Sequence, residues 1–218
     1  MRAVIFVNGL VNDYSALARW LRPDDFLIGA DGGTLHCLAV GRQPQVIVGD
    51  LDSLDQALVA QLADQGVQIE RHSPVKDQTD LELAVACAQQ RGADQVLLLG
   101  ALGGRLDQML GNVLLLARQD WPFPVTLAEE NQLAQIVQGG ATLTLSAPIG
   151  STVSVIPLSE QVTGITYQGL AYPLLDFTLP FGSTRGISNV VQTTPATIRI
   201  DTGILLVIET LQHIKLYT

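Results

Sequence analysis

Apolar positions in the first part of the chain fall into two alternating textures. Short, nearly continuous apolar runs occupy residues 2–8 (RAVIFVN), 25–30 (DFLIGA), 45–48 (QVIV), 67–71 (VQIER), 95–100 (QVLLLG) and 124–128 (PVTLA). Between them lie YSALARWLR, GGTLHCLAVG, LDQALVAQLADQG, TDLELAVACAQQRG and RLDQMLGNVLLLARQD, whose apolar residues recur at helical spacing. Strands apolar on both faces and separated by helices predict a mostly parallel sheet with helices on both sides, a Rossmann-like α/β fold. Near residue 135 the pattern changes. QIVQGGATLTL, STVSVIPL, VTGITYQGL, LDFTLPFG, ATIRID and GILLVIETL are short, rich in β-branched residues and bounded by Gly, Pro and Ser. They predict an all-β sandwich or barrel. Two domains are therefore expected, 1–135 and 136–218, with QGGA at 138–141 as the boundary signal.

Composition narrows the class. Apolar residues make up 47% of the 218 positions, enough for a core and against disorder. No run approaches the roughly 18 apolar residues of a membrane span, and the N-terminal run turns polar too early for a signal peptide. Cys37 and Cys87 lie inside apolar helical patterns and read as buried thiols of a cytoplasmic protein. Net charge is −9. Residues from 136 onward hold four acids and three bases, so about −8 of that charge belongs to the first 135 residues. Without a basic stripe, nucleic acid is not the expected partner. An acidic first half suits a metal or a cationic substrate.

Open parallel sheets bind ligands beyond the carboxyl ends of their strands. Four successive strand ends carry polar clusters there: Asp31, Gly32 and Gly33; Asp50, Asp52 and Ser53; Lys76, Asp77, Thr79 and Asp80; and Gly103, Gly104, Arg105 and Asp107. Each cluster has a purely structural explanation. Asp52 or Ser53 suits a helix N-cap, Thr79-x-x-Glu82 is a capping box, the glycine pair suits a turn, and Lys76 suits a solvated surface. Their convergence is harder to explain that way. Three or more carboxylates in one crevice repel one another unless a hard cation such as Mg²⁺ sits among them, and Mg²⁺ uses one or two carboxylates plus substrate phosphates. Asp50, Asp52 and Asp80 are the expected ligands. GGRLD leads into a helix, whose N-terminal N–H groups form an anion site with Arg105 as a clamp. His36, His72 and His213 lack metal-ligand spacing and read as structural or surface residues; Trp20 and Trp121 read as packing anchors.

With these residues assembled, the chain resembles the thiamine pyrophosphokinase family through ADGG (30–33), GDLDS (49–53), KDQTDLELA (76–84), GALGGRLDQ (100–108) and GISN (186–189). The resemblance implies an α/β catalytic domain that takes ATP and Mg²⁺. It also implies a β domain that binds thiamine and dimerises, and a homodimer with active sites at the subunit contact. The implied reaction transfers pyrophosphate from ATP to the hydroxyl of thiamine, giving thiamine diphosphate and AMP. Asp50, Asp52 and Asp80 become the metal and phosphate-handling acids. Asp31, Gly32, Lys76, Asp77, Thr79, Gly104, Arg105, Asp107 and Asn112 line the ATP site, and Ser188 and Asn189 the thiamine pocket. Asp107 or Asp80 receives the hydroxyl proton. Val190 and Val191 stand where the family can present an aromatic for thiamine, so Tyr167 or Tyr172 is left to supply that face. Three other readings compete: a haloacid dehalogenase-type phosphatase using Asp50 as nucleophile, a pyrophosphokinase for another acceptor such as a hydroxymethyl pterin, and a non-catalytic nucleotide-binding regulator.

Overall fold

The computed structural model describes residues 1–118 and 120–212, and its contacts divide the chain into two compact units, the first running to Glu130 and the second beginning at Asn131. QGGA is a turn inside the second unit: Ala141 N–H donates to the Gln138 carbonyl and Gly140 N–H to that of Ile200. His213 lies outside the described residues.

In the first unit, strands β1 (Arg2–Phe6), β2 (Phe26–Ala30), β3 (Val46–Gly49), β4 (Gln68–Arg71), β5 (Gln95–Leu99) and β6 (Val125–Glu129) are all parallel, in the order β6-β5-β1-β2-β3-β4. The connections carry α1 (Tyr14–Ala18), α2 (Gly33–Ala39), α3 (Gln56–Asp64), α4 (Asp80–Gln90) and α5 (Leu106–Leu115). The chain steps outward from β1 to β4, then crosses back to β5 on the other side of β1. Right-handed crossovers then put α1, α2 and α3 on one face and α4 and α5 on the other. Burial on both faces explains the unbroken apolar runs: Ala3 to Phe6 and Val46 to Val48 have no solvent exposure. The first helix is shorter than its pattern predicts. After Ala18 the backbone tightens into three-residue turns (Trp20 N–H to Leu17 O, Leu21 N–H to Ala18 O), and Trp20 is buried with its indole N–H on the Glu130 carbonyl. Cys37 and Cys87 are free and buried, and burial pushes both thiols up to about 12.

The second unit contains no helix among its described residues. Strands β7 (Gln132–Gln138), β8 (Thr142–Thr144), β9 (Thr152–Pro157), β10 (Gln161–Gln168), β11 (Phe177–Pro180), β12 (Asn189–Val190), β13 (Thr197–Arg199) and β14 (Ile204–Thr210) pair antiparallel. Within this unit they form β12-β9-β14-β7 and β11-β10-β13-β8. The expected β-sandwich is thus present, and its alternating burial, as in β9, is the period-two signature read from the sequence. Buried Glu209 on β14 is satisfied by donors from Gln135, Ser146 and the Ala147 N–H.

At the amino edge of the parallel sheet, Arg2 forms a bidentate pair with Asp25, at 2.7 and 2.6 Å, and donates to the Trp20 carbonyl. The Asp25 side chain is almost wholly buried and also accepts from Arg22 N–H. Removing the carboxylate leaves a buried guanidinium without its partner, so Asp25→Ala should cost about 3–5 kcal/mol in urea unfolding.

Candidate active site

Strand order alone selects where a ligand would sit in the first unit. The chain reverses direction between β1 and β5, and the loops leaving those two strands diverge around a crevice. A cleft of about 620 Å³ opens there, lined by Asn8, Gly9 and Leu10 after β1, Asp31 after β2, Asp50 and Ser53 after β3, Lys76, Thr79 and Asp80 before and in α4, and Gly103, Gly104, Arg105 and Asn112 after β5.

The D-x-D motif folds as it does because of the residue between the acids. Leu51 adopts φ +64 and is fully buried with Ile47, Leu54, Val59, Leu62 and Val67. A left-handed conformation is costly for leucine, and burial of its side chain offsets that cost. The inward leucine leaves its two neighbours at the rim. Asp50 Oδ1 accepts from Asp52 N–H at 3.2 Å, and Arg71 donates to the Asp50 carbonyl. Asp55, not Asp52 or Ser53, caps α3 through Ala57 N–H at 2.7 Å. The first acids of the loop are therefore free of the capping role.

Asp31 is strained as well, at φ +46 and 7% exposed. Its Oδ1 is buried without any hydrogen-bond partner. Gly49 makes room for it: a side chain there would come within 3.0 Å of the Asp31 Cβ and 3.2 Å of Asp80 Oδ1. Oxygens of Asp31, Asp50 and Asp52 lie within 4.8 Å of one another. This trio differs from the expected Asp50, Asp52 and Asp80. Asp80 lines the cleft, but its Oδ1 takes the Lys76 ammonium at 2.7 Å, and the same ammonium is 4.0 Å from Asp50. Three carboxylates, one of them on a buried residue with an unpartnered oxygen, fit a divalent cation such as Mg²⁺.

The remaining predicted residues differ in their placement. Thr79 caps α4 by accepting from Glu82 N–H at 3.2 Å and also lines the cleft. Only this half of the capping box forms, because the Glu82 carboxylate meets Arg118. Asn112 is buried and donates to the Ala101 carbonyl at 2.8 Å. Arg105 and Asp107 form an exposed ion pair at 2.6 Å that holds the Asp107 carboxyl below its ordinary range. Asp107, Asp77, Gly32 and Asp52 are not among the cleft-lining residues. The N-cap residue of α5, Arg105, makes no side-chain capping bond, and the first turn of that helix carries the Asp107 carboxylate.

In the second unit, Asn189 is committed locally. Its Oδ1 accepts from the N–H groups of Tyr172 and Val190, and its amide donates to the Tyr172 carbonyl. Ser188, at φ +63, is exposed. Of the two tyrosines, Tyr167 is buried, while Tyr172, tied to Asn189, is 68% exposed. Among the histidines, His72 is half-buried and His36 is built into α2. The loop after β1 escaped sequence reading: Asn8, Gly9 and Leu10 carry no charge, and only the position of β1 beside the reversal marks them.

An acid-lined cleft beside an uncapped helix N-terminus, at the reversal point of a parallel sheet, defines an α/β protein equipped to hold a cation with an anionic ligand. The thiamin pyrophosphokinase catalytic-domain model matches residues 17–125, and the thiamin pyrophosphokinase vitamin B1 binding-domain model matches residues 142–205. The thiamine pyrophosphokinase of Bacillus subtilis is 31% identical over 182 residues, spanning 83% of this chain and 85% of the relative. Thiamine pyrophosphokinase 3 of Oryza sativa is 29% identical, covering 78% and 68%. Crystal structures of the enzymes from Bacillus subtilis (28% identity, TM-score 0.86, covering 98% and 100%) and Geobacillus thermodenitrificans (30%, 0.79, 96% and 97%) share the fold. The chain belongs to the thiamin pyrophosphokinase family.

If Leu51 is what holds the acids at the rim, shortening it should be costly. Leu51→Ala is expected to lose about 2–5 kcal/mol in urea unfolding, the range for an emptied leucine site.

Proposed function

We propose that this chain is a thiamine pyrophosphokinase, transferring the pyrophosphoryl group of ATP to the hydroxyl of thiamine with release of AMP. The observation that carries the reading is the coincidence of the catalytic-domain match with the acid cleft. That cleft is followed in sequence by a vitamin B1 binding-domain match. The second match favours thiamine over a pterin acceptor, and family membership sets aside the phosphatase and regulator readings.

The thiamine hydroxyl attacks the β-phosphorus in line. The new O–P bond forms as the bond from that phosphorus to the bridging oxygen breaks, and AMP leaves with that oxygen. Such transfers depend on positioning and charge neutralisation. Asp31, Asp50 and Asp52 would hold Mg²⁺, which when bound offsets polyphosphate charge. The α5 N–H groups with Gly103 and Gly104 cradle phosphate oxygens, and Lys76 adds a point charge from between Asp50 and Asp80. Arg105 turns from Asp107 to the ligand. Asp80 is the better placed of the two candidate bases, since it lines the cleft and Asp107 does not. Tyr172, exposed and fixed by Asn189, is the aromatic offered to thiamine. A homodimer would complete the acceptor site at the subunit contact. No helix among the described residues is long and apolar enough to cross a membrane; with two buried free thiols, a cytoplasmic setting fits.

Incubation with ATP, Mg²⁺ and thiamine should release AMP only when thiamine is present; ADP or phosphate in its place would overturn the assignment. Asp50→Asn and Asp52→Asn should each lower turnover by roughly 10²–10³-fold. Removing one of three repelling charges should leave the metal-free thermal midpoint unchanged or higher. Near-normal AMP release by either variant at saturating Mg²⁺ would remove the metal assignment.

A further inference from the structure

Buried His36, on α2, touches the cleft wall without lining the cleft. Its Nε2 lies 3.0 Å from the Gly9 carbonyl, and its Nδ1 is 2.9 Å from the Tyr14 hydroxyl. A carbonyl oxygen only accepts, so Nε2 carries a proton and donates to it. Gly9 belongs to the cleft wall after β1, and that wall is joined backbone to backbone to the loop after β5. Gly9 N–H donates to Gly100 O and Leu10 N–H to Leu102 O, each at 2.8 Å. Side chains are excluded from this seam. A Cβ on Gly9 would fall 2.3 Å from Leu102 O, one on Gly103 would fall 2.7 Å from the Leu10 Cβ, and one on Gly100 would come within 3.3 Å of the His36 ring. The helix bearing His36 begins directly after Asp31 and Gly32.

We infer that His36 is a positioning residue: through the Gly9 carbonyl it sets the height of the Asn8–Leu10 wall at the β1/β5 reversal, and so the fit of the nucleotide donor. The inference rests on the reading of the cleft as the ATP site. The hydrogen bond runs to the one wall segment that carries no charge. Its loss therefore loosens donor contacts while leaving the acid trio and the acceptor side in place. Tyr14, at the start of α1 and partly exposed, fixes the ring from its other nitrogen.

The test compares His36→Leu, which fills the space without a donor, with His36→Gln, whose amide N–H can still reach a carbonyl. The readouts are KM for ATP, KM for thiamine, kcat and calorimetric binding of Mg-ATP to the full chain. His36→Leu should raise KM and Kd for ATP about tenfold, the scale of one lost hydrogen bond. KM for thiamine should stay within about twofold, and His36→Gln should recover most of the loss. Tyr14→Phe, the milder change, should shift ATP binding in the same direction, about threefold. The inference is overturned if His36→Leu leaves ATP affinity within twofold of wild type. It is equally overturned if His36→Gln gives no recovery, or if both KM values and thermal stability worsen together, as for a purely structural histidine. Should His36→Leu not fold, an unchanged ATP affinity in Tyr14→Phe with no loss in His36→Gln overturns it. A wild-type protein that binds Mg-ATP but releases no AMP with thiamine counts against the function alone, because the binding comparison still decides the role of His36.

Discussion

Like charges gathered at one point repel, and the first unit is organised around holding several of them there. At an effective dielectric constant of about 20, two carboxylates some 4 Å apart repel by about 4 kcal/mol. Backbone and core pay for keeping the three oxygens of Asp31, Asp50 and Asp52 within 4.8 Å. The restraint is visible in the dihedrals: Asp31 and Leu51 both sit in the left-handed region, where non-glycine residues incur strain. Leu51 is held by the apolar cluster beneath it, and Asp31 N–H is bound to the Val48 carbonyl at the end of β3. Asp31 and Asp50 thus ride directly on strand ends, with Asp52 at the exposed rim beyond them.

The same logic explains where the glycines fall. Gly49 removes a side chain that would separate Asp31 from Asp80, and Gly9 and Gly103 let the loops after β1 and β5 meet backbone to backbone. On the other side of the cleft, Gly103 and Gly104 take positive φ just before the start of α5, whose N-cap residue makes no side-chain capping bond. The two sides of the cleft are therefore built by different means. Side chains supply the first, backbone N–H groups the second, and Lys76 bridges two acids between them.

Much of this was legible in the sequence, and what was not has physical reasons. Continuous apolar runs marked β1, β2, β3 and β5 because burial on both faces leaves no alternation to misread, whereas β4, with no buried residue, was legible only from its place between helical patterns. β12, at two residues, was too short for any periodicity to register, and the segment around QGGA hid a turn because Gly139 and Gly140 lie between two β-rich stretches. At the site, the acids announced themselves by charge, but which three converge depends on a left-handed Leu51 and Asp31 that spacing cannot reveal. Lys76 lies four residues before Asp80, so their pair has ordinary helical spacing, yet pairing takes an Asp80 oxygen away from the carboxylate trio.

That pairing shapes how a metal-free cleft behaves. Asp80 and Asp50 share one ammonium, whereas the buried Asp31 oxygen has no donor at all. A cation at the trio would offset desolvation that the Asp31 carboxylate already incurs on folding. Lys76 need not be displaced for this to happen, because its closest contact is to the acid outside the trio. Lys76 keeps its place between Asp80 and Asp50, where its ammonium offsets part of the negative charge gathered at the strand ends.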